Sequence, residues 1–392
     1  MHFFALSLAV GLHLSFLPYC APAALWSSPF PAPLSPKKLS LIRANAINIS
    51  THSWELGTLA ETLTEFEWPR LGVFSPRSIP PPARLAHGQA ADVLSIAETV
   101  VAENPPGALP APLINGDGAI GDPASIGVSV LLRSWTLQDP GNTTFADAAA
   151  GQLDYLLNVA PRAPNGAISH RDSQAQLWAD FVYMAPPFIA YYGALLEDGP
   201  SCQELLQTAY DQVRMYREVL YDPSVGLWRH IALGNGTDPT YWGTGNGWAA
   251  AGALRVLATI QRSSAARAMK SQQSDLVQWV GEILDGAWKF QQENGTLLNY
   301  LNQPDSFPDS SSTALLAAST FRWASITRNN THIPAATRAL RLIRINVDDQ
   351  GLFSTPSLPG AHSPEGQSFV LLLEAAVAAW LPFNLGKNPL PL

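Results

Sequence analysis

The chain has 392 residues, 47% of them hydrophobic and 14% charged, which is enough apolar material for a large buried core. Its formal net charge is −8, whereas proteins that attract nucleic acid electrostatically carry excess positive charge. The composition therefore predicts no nucleic-acid partner. The 33 prolines and 12 tryptophans suit a loop-rich globular protein.

The N-terminal residues have the pattern of an export signal. A mostly apolar stretch at residues 3–17 is followed by an A-x-A cleavage site at 21–23. The stretch is too short for a membrane span, and no later segment has the pattern of one. We predict a signal peptide at residues 1–23, a flexible Pro/Ser-rich leader at 24–38, and a secreted protein without membrane attachment. Since a basic n-region is missing, a buried N-terminal helix is the alternative.

The cysteines and glycosylation sequons agree with export. After cleavage Cys202 would be the only cysteine, so a monomer can form neither a disulfide nor a cysteine-based zinc site. We expect no metal, no cofactor and a monomeric protein. Five N-x-[ST] sequons would accept N-linked glycans if they lie on the surface. They begin at Asn48, Asn142, Asn235, Asn294 and Asn329.

Apolar residues recur at helical spacing in eleven segments, whereas alternating strand patterns are scarce. Residues 39–49 could supply a twelfth helix. Twelve antiparallel helices joined by loops make six hairpins. We therefore predict an all-α fold, an (α/α)6 barrel that fills residues 39–392 as one domain, with a cleft at one end of the ring. The segments span roughly 52–67, 87–103, 123–138, 143–158, 174–196, 202–220, 245–262, 273–292, 311–326, 334–346 and 364–381.

Four segments carry polar and aromatic side chains that a plain helical core would not need. In the first, Asp180 lies in an otherwise apolar helix start close to Trp178, Tyr183 and Met184. Apolar surroundings raise the pKa of a carboxyl group, which suits a general acid. For an isolated Asp, however, capping a helix or pairing with a buried arginine is the more common role.

The other three segments also allow two interpretations. Asp122 precedes a proline, a favourable N-cap arrangement, and could instead be a second carboxyl group in the cleft. The loop at 226–230 is either plain and exposed or presents His230 as a donor to a substrate. At 241–250, YWGTGNGWAA, glycines allow tight turns and two tryptophans flank a polar loop, which fits a sugar platform or a structural role.

Together these segments resemble the unsaturated rhamnogalacturonyl hydrolase family of six-hairpin glycosidases over residues 117–381. LWADFVYMAPPF resembles the family's W-x-D-x-x-x-M-x-x-P-F helix, GLWRH its aromatic-x-His loop, and WGTGNGW its W-G/A-R-G-N-G-W motif. DSSSTA resembles its acidic-T-S-x-x-A segment, and SPEGQSF its S-P-E-x-Q-x-F helix. Five motifs in the same order along the chain are fairly specific.

The resemblance implies a glycoside hydrolase that removes a terminal 4,5-unsaturated uronic acid from pectin-derived oligosaccharides by hydrating the C4=C5 bond. The family's catalytic acid falls on Asp180 and its second carboxylate on Asp122, with Asp117 as the fallback. Nine further residues are implied to contact the oligosaccharide, with Asn246 bonding a hydroxyl. They are His170, Arg171, Trp178, Met184, His230, Trp242, Thr244, Asn246 and Trp248.

One position departs from the family pattern. Where the motif has an arginine, expected near the carboxylate of the substrate, this chain has Thr244. A neutral threonine cannot form the bidentate pair that arginine makes with a carboxylate. Either Arg171 or Arg229 replaces that cation, or the substrate differs, or the activity is lost.

Two other functions are open at this point. A conventional hydrolase on the same toroid, such as an α-mannan hydrolase, would use adjacent paired carboxylates, and the only Asp-Asp pair, Asp348-Asp349, lies in a loop-like segment. A secreted carbohydrate-binding protein would keep the fold without turnover. The missing arginine favours that function, whereas the retained Asp180, His230 and Asn246 count against it.

Overall fold

The computed structural model describes most of the chain after the predicted signal peptide, which itself lies outside the described residues. From Pro31 on, the chain forms one compact unit. None of the described helices combines the length and the apolar character that crossing a membrane requires. The described residues are 30–107, 110–137, 139, 141–196, 199–353 and 362–385.

Fourteen α-helices form within the described residues. In chain order they are α1 (Pro36–Ile49), α2 (Ser53–Glu67), α3 (Ala91–Glu103), α4 (Gly121–Ala124), α5 (Gly127–Thr136), α6 (Thr144–Asp154), α7 (Phe181–Met184), α8 (Pro186–Leu195), α9 (Pro200–Leu220), α10 (Gly243–Arg262), α11 (Lys270–Ala287), α12 (Ser310–Thr327), α13 (Ile333–Asn346) and α14 (Pro364–Leu385). Because α4 continues into α5 and α7 into α8 after short breaks, they make twelve helical segments.

Six of these segments close into an inner ring. Helix α2 packs against α5 and α14, α8 packs against α5 and α10, and α12 packs against α10 and α14. The other six lie outside: α1 packs on α14, α3 and α6 on α5, α9 on α8, α11 on α10, and α13 on α12. This arrangement confirms the predicted all-α, six-hairpin (α/α)6 barrel.

Burial distinguishes the inner helices from the outer ones. Every residue of α10 from Gly243 to Ile260 is buried, whereas α9 buries one stripe at helical spacing. The inner helices touch neighbours on all sides, which explains their many Ala, Gly and Ser residues. At Gly252 a Cβ atom would lie 2.1 Å from the carbonyl oxygen of Val182, so only glycine lets α10 approach α7 this closely.

Several predicted helix boundaries are wrong. The segment predicted as one helix at 174–196 is a strand followed by α7 and α8, which separate where Pro186 has no N–H to continue the first helix. By contrast, the predicted segment at 143–158 agrees with the structure, in which a π-helix at Tyr155–Val159 directly follows α6. Helix α1 begins at Pro36, because Ser35 caps it by accepting from the N–H of Lys38, so the expected leader ends earlier than residue 38.

Three antiparallel two-stranded ribbons connect the helices. Strand β1 (Leu177–Trp178) pairs with β4 (Ile231–Ala232), β2 (Tyr221–Asp222) with β3 (Leu227–Trp228), and β5 (Leu297–Leu298) with β6 (Pro308–Asp309). Two residues per strand are too few to show an alternating pattern in the sequence. The ribbons fix the backbone just before α7 and α12, and an isolated bridge between Trp242 and Tyr300 holds the residue before α10.

A buried ionic cluster joins α2 to α10 and α12 inside the ring. Arg255 Nε lies 3.1 Å from Glu61 Oε2, and Arg255 Nη2 lies 2.8 Å from Glu65 Oε1. Arg322 Nη2 lies 3.0 Å from the other oxygen of Glu65. Burial raises the pKa of Glu61 to about 7, against the attraction of Arg255. Glu65 is therefore the carboxylate on which both guanidinium groups depend.

We expect Glu65→Gln to destabilise the fold by about 3–5 kcal/mol, because it leaves the buried Arg322 without its ion-pair partner. Glu61→Gln, one helical turn away, is the matched control and should cost about 1 kcal/mol, because the glutamine amide replaces a carboxyl group that is readily protonated. Urea unfolding at neutral pH measures both values. Equal losses in the two variants would contradict the assignment of Glu65 as the shared partner.

Candidate active site

A cavity of about 570 Å³ lies at one end of the barrel, where the inner helices begin. Each of the six inner segments contributes residues from its N-terminal end. The lining residues are Trp54, Asp122, His170, Arg171, Trp178, Asp180, Met184, Trp242, Thr244, Trp248, Asn299, Phe307, Asp309, Ser311, Ser363, Glu365 and Phe369.

Helix N-termini present unpaired backbone N–H groups, so this end of the ring favours negative charge. Side chains cap α12 and α14 at this end of the ring. Asp309 accepts from the N–H groups of Ser311 (2.9 Å) and Ser312 (3.2 Å), and Ser363 accepts from the N–H of Gly366 (3.0 Å). The end of the barrel thus tolerates several carboxyl groups in one cavity.

Asp180 stands directly before α7 but does not cap it. Its side chain makes no capping hydrogen bond, and its Oδ2 atom is buried without any hydrogen-bond partner. Nε2 of His230 lies 3.6 Å from Oδ2, and no arginine in the described part of the chain forms an ion pair with Asp180. The two common structural roles of an isolated Asp are therefore absent here.

Burial raises the pKa of Asp180, against the opposing attraction of His230. A carboxyl group with a raised pKa keeps its proton at higher pH and can donate it to a bound molecule. The structure thus gives Asp180 the property that the sequence pattern suggested.

Asp122 supplies a second carboxyl group to the same cavity. Helix α4 begins at Gly121 with Ile120 at the capping position, so the N-cap role considered for Asp122 is wrong. Burial, and after it the charges of Asp180 and Asp117, raise the pKa of Asp122 well above its ordinary value. The charge of Asp180 therefore favours the protonated form of Asp122.

The fallback residue Asp117 has a different environment. Ser53 donates to its Oδ2 atom at 2.5 Å, and Asp117 is absent from the cavity lining. Its charge still acts on Asp122. The geometry therefore favours Asp122 over Asp117 as the second cavity carboxylate.

His230 links Asp180 to a residue that the sequence did not single out, Asp238. Nδ1 of His230 lies 2.9 Å from Oδ2 of Asp238, and Oδ1 of Asp238 accepts from the N–H of Thr240. These hydrogen bonds hold the pKa of Asp238 below its ordinary value, although partial burial opposes them. Since a carboxylate only accepts, the neutral tautomer that this contact favours has its hydrogen on Nδ1, and in that tautomer Nε2 faces Asp180 as an acceptor.

His170 and Arg171 form the wall next to Trp178. The imidazole of His170 stacks on the indole at 4.8 Å, and its Nε2 atom lies 3.7 Å from Oδ1 of Asp122. Burial, and after it the charge of Arg171, lower the pKa of His170 to about 3. His170 is therefore uncharged at mildly acidic pH, whereas the guanidinium of Arg171 lies 5.9 Å from the indole centroid.

Trp242, Thr244 and Trp248 reach the cavity from the start of α10, as expected. Trp242 donates from Nε1 to Asn299 and lies 4.5 Å from the ring of His230. Thr244 is buried and donates from Oγ1 to Oδ2 of Asp309 at 3.0 Å. At the position where the family motif has arginine, the cavity wall therefore carries the uncharged, hydrogen-bonded side chain of Thr244. Trp248, like Met184, is almost fully buried and closes the cavity from below.

Asn246 does not face the cavity, so the prediction that it bonds a sugar hydroxyl is wrong. Its Oδ1 atom accepts from the N–H of Trp228, and its Nδ2 atom donates to the carbonyl oxygens of Trp228 and Trp242. Because the three hydrogen bonds of its side chain all go to backbone groups, Asn246 fixes the strand that leads to His230. Asn246 is therefore a positioning residue and not a substrate contact.

The glycines of the same motif act by packing rather than by turning the chain. None of the three has a positive φ, and α10 already begins at Gly243. A Cβ atom on Gly243 would lie 2.9 Å from the side chain of Ser312, and one on Gly245 would lie 3.0 Å from Trp242. The expected tight turn is therefore absent, and the glycines let α10 approach α12 and the Trp242 ring.

Several cavity residues were not predicted as site residues. Asp309 and Glu365 lay inside motifs of the resemblance, so a signal for them was present. No sequence motif marked Trp54, Asn299 or Phe307 as site residues, because they lie outside the motifs and reach the cavity only when the chain folds. Trp54 donates from Nε1 to Oε1 of Glu365 at 2.6 Å, across 311 positions of sequence. No group of three or more His, Cys, Asp or Glu side chains in the described part of the chain could hold a metal ion.

Comparisons with known proteins agree with this site. The model of Glycosyl Hydrolase Family 88 matches residues 122–358. The unsaturated rhamnogalacturonyl hydrolase YesR of Bacillus subtilis (strain 168) is 27% identical over 241 residues, which are 58% of this chain and 63% of that relative. The match therefore spans less than two thirds of the relative's length.

Solved structures share the fold. A possible member of the GH105 family from Salmonella enterica has a TM-score of 0.66 at 18% identity, over 88% of this chain and 95% of that chain. The unsaturated glucuronyl hydrolase of Bacillus sp. GL1, described as responsible for the degradation of glycosaminoglycan, has a TM-score of 0.55 at 14% identity, over 89% and 96%.

The chain belongs to Glycosyl Hydrolase Family 88, because the family model covers more than half of it. The resemblance seen in the sequence is thereby confirmed, and by family the chain is a glycoside hydrolase.

We expect Asp238→Asn to lower kcat by about tenfold or more, because the amide can donate to Nδ1 of His230 and reverse the tautomer. An N–H at Nε2 would then face Asp180, favour its ionised form and lower its pKa. The alkaline limb of the pH profile of hydrolysis should therefore move to lower pH. The exposed Asp305→Asn is a charge-matched control. An unchanged profile in Asp238→Asn would contradict the positioning role.

Proposed function

We propose that this protein removes a terminal 4,5-unsaturated uronic acid from pectin-derived, rhamnogalacturonan-type oligosaccharides by hydrating the double bond, with Asp180 as the acid. The proposal rests mainly on one observation: the carboxyl group of Asp180 is buried in the cavity, and its Oδ2 atom has no hydrogen-bond partner among the described residues. The choice of substrate rests on the similarity to a relative named as an unsaturated rhamnogalacturonyl hydrolase.

The C4=C5 bond of such a sugar is a vinyl ether, because C5 carries the ring oxygen. Asp180 donates its proton to C4, and the electron pair of the double bond forms the new C4–H bond. The positive charge that develops at C5 is shared with the ring oxygen. The cavity's carboxyl groups stabilise this oxocarbenium-like centre electrostatically.

Water then adds to C5 and completes the hydration. The ionised Asp180 or Asp122 accepts the proton of the attacking water, and both line the cavity. The product is a hemiketal whose ring opens between C5 and the ring oxygen, after which the C1 hemiacetal releases the second sugar. This route needs no covalent bond between sugar and protein and differs from hydrolysis by paired carboxylates at set spacing.

The structure disfavours the α-mannan hydrolase alternative. Asp348 accepts from the N–H groups of Gln350 and Leu352 within a turn, and Asp349 is almost fully exposed beside Lys38. Neither of these adjacent carboxylates lines the cavity. A carbohydrate-binding protein without turnover is the remaining alternative, because Thr244 stands in place of the family arginine.

We also propose export and N-glycosylation. All five sequon asparagines are exposed, as glycan attachment requires. Glycosidase treatment of protein secreted from eukaryotic cells should lower its apparent mass, and an unchanged mass would contradict glycosylation. The monomeric state and the lack of a nucleic-acid partner stay predictions from the sequence.

We expect Asp180→Asn to lower kcat by about 10²- to 10⁴-fold, because the amide has no proton to give to C4. Loss of the ultraviolet absorbance of the double bond follows the reaction on an unsaturated rhamnogalacturonan disaccharide. The exposed Asp172→Asn, from the loop before the same helix, is the charge-matched control and should keep wild-type turnover.

The saturated form of the same disaccharide separates the two enzymatic routes. Hydration requires the double bond, so the wild-type protein should leave the saturated sugar intact. Near wild-type turnover by folded Asp180→Asn, or equal turnover of the saturated sugar, would refute the proposed reaction. Tight binding of the unsaturated sugar with no turnover would favour the carbohydrate-binding alternative.

A further inference from the structure

The cavity has an unusual charge balance for a site that takes an anionic sugar. Four carboxyl groups line it, those of Asp122, Asp180, Asp309 and Glu365. Thr244 removes the cation that the family motif places there. A uronate carboxylate needs a positive partner, because burying a charge without one is costly.

Arg171 is the permanently charged cation among the described residues that line this cavity. The neighbouring His170 does not share that role, because its pKa is lowered to about 3. Arg229, the other candidate from the sequence, is absent from the lining and forms an ion pair with Asp222. Of the two candidate cations, the geometry therefore favours Arg171 over Arg229.

The guanidinium of Arg171 is available to a ligand. It forms no ion pair or side-chain hydrogen bond with any residue in the described ranges, and it rests near the indole of Trp178, 5.9 Å from the centroid. Gly118 makes room on its other side, since a Cβ atom there would lie 3.0 Å from Nη2. Gly118 also has a φ of +73°, which favours glycine independently.

The backbone of Arg171 is held on both sides. Its N–H donates to Oγ of Ser169 at 3.1 Å, and its carbonyl oxygen accepts from the same hydroxyl at 2.7 Å. A β-bridge to Ala119 ties the residue to the segment that leads to Asp122. The guanidinium is therefore presented from a fixed backbone, which reduces the ordering cost of binding.

We propose that Arg171 binds the carboxylate of the uronic acid in this protein, in the role that the family motif gives to an arginine at position 244. This rests on the proposed function. A planar guanidinium can pair with a carboxylate through two parallel hydrogen bonds. The hydrogen-bonded pair of Thr244 and Asp309 on the cavity wall then contacts the hydroxyl groups of the sugar instead of its carboxylate.

The test compares an acid with its methyl ester, so that the carboxylate charge is the variable. Binding is measured by calorimetry in the Asp180→Asn variant, which prevents turnover. The ligands are an unsaturated uronyl-rhamnose disaccharide and the same disaccharide methyl-esterified at the uronate. We expect the acid to bind about 10- to 100-fold more tightly than the ester, the range for a charged hydrogen-bonded pair.

Adding Arg171→Gln should abolish this preference while the affinity for the ester changes by less than about threefold. Arg171→Lys should keep part of it, because the charge stays and the bidentate geometry is lost. Arg229→Gln removes the same charge one residue from His230 and should keep the full preference.

Three results would overturn the assignment: a preference that survives Arg171→Gln, equal weakening of acid and ester, or no preference in the parent variant. Activity of the wild-type protein separates this proposal from the proposed function. If the wild type hydrates no unsaturated uronide but the preference depends on Arg171, the reaction is wrong and the carboxylate site stands. If the wild type hydrates unsaturated uronides but the preference for the acid over the ester does not depend on Arg171, the reaction stands and the assignment of the carboxylate site to Arg171 is wrong.

Discussion

The chemistry of this site depends on a carboxyl group that is held away from water and forms no ion pair with an arginine or lysine among the described residues. Asp180 stands at a helix start, where an aspartate ordinarily caps backbone N–H groups, and its side chain makes no such bond. Burial then raises its pKa, and its charge in turn contributes to the raised pKa of Asp122 in the same cavity. A retained proton next to a sugar-sized cavity is the consequence.

The barrel reduces the free-energy cost of burying this carboxyl group. Six inner helical segments begin around one cavity, so their N-terminal dipoles offset part of the negative charge collected there. Rigidity comes from outside the lining: Asn246 holds the strand before His230, Asp238 fixes its ring, and the ribbon of β1 and β4 anchors Trp178. Residues outside the cavity lining thus set the geometry of those that form it.

The sequence was most informative where one local pattern decides the structure. Helical spacing of apolar residues predicted the barrel, although only the outer helices, such as α9, bury a single stripe and the inner α10 is buried all round. It failed at Pro186, where apolar residues continue although the helix breaks, and at the ribbons, whose two-residue strands have no period. Motif resemblance identified Asp180 and Asp122 but assigned Asn246 to the substrate, since a motif does not record which way a side chain points. Trp54 depends on a contact that is distant in sequence, with Glu365. Asp238 lies only eight positions from His230 but outside the motifs on which the resemblance was based.

Direct titration of Asp180 tests the account most simply. The side-chain carboxyl signal of carbon-13-labelled Asp180 can be followed through pH in the ligand-free protein and identified by its loss in Asp180→Asn. A protonated group with a midpoint above the ordinary 3.8 is the predicted result. A midpoint at or below that value would show a solvated carboxylate with no proton to give, and would contradict the acid role on which the proposed reaction rests.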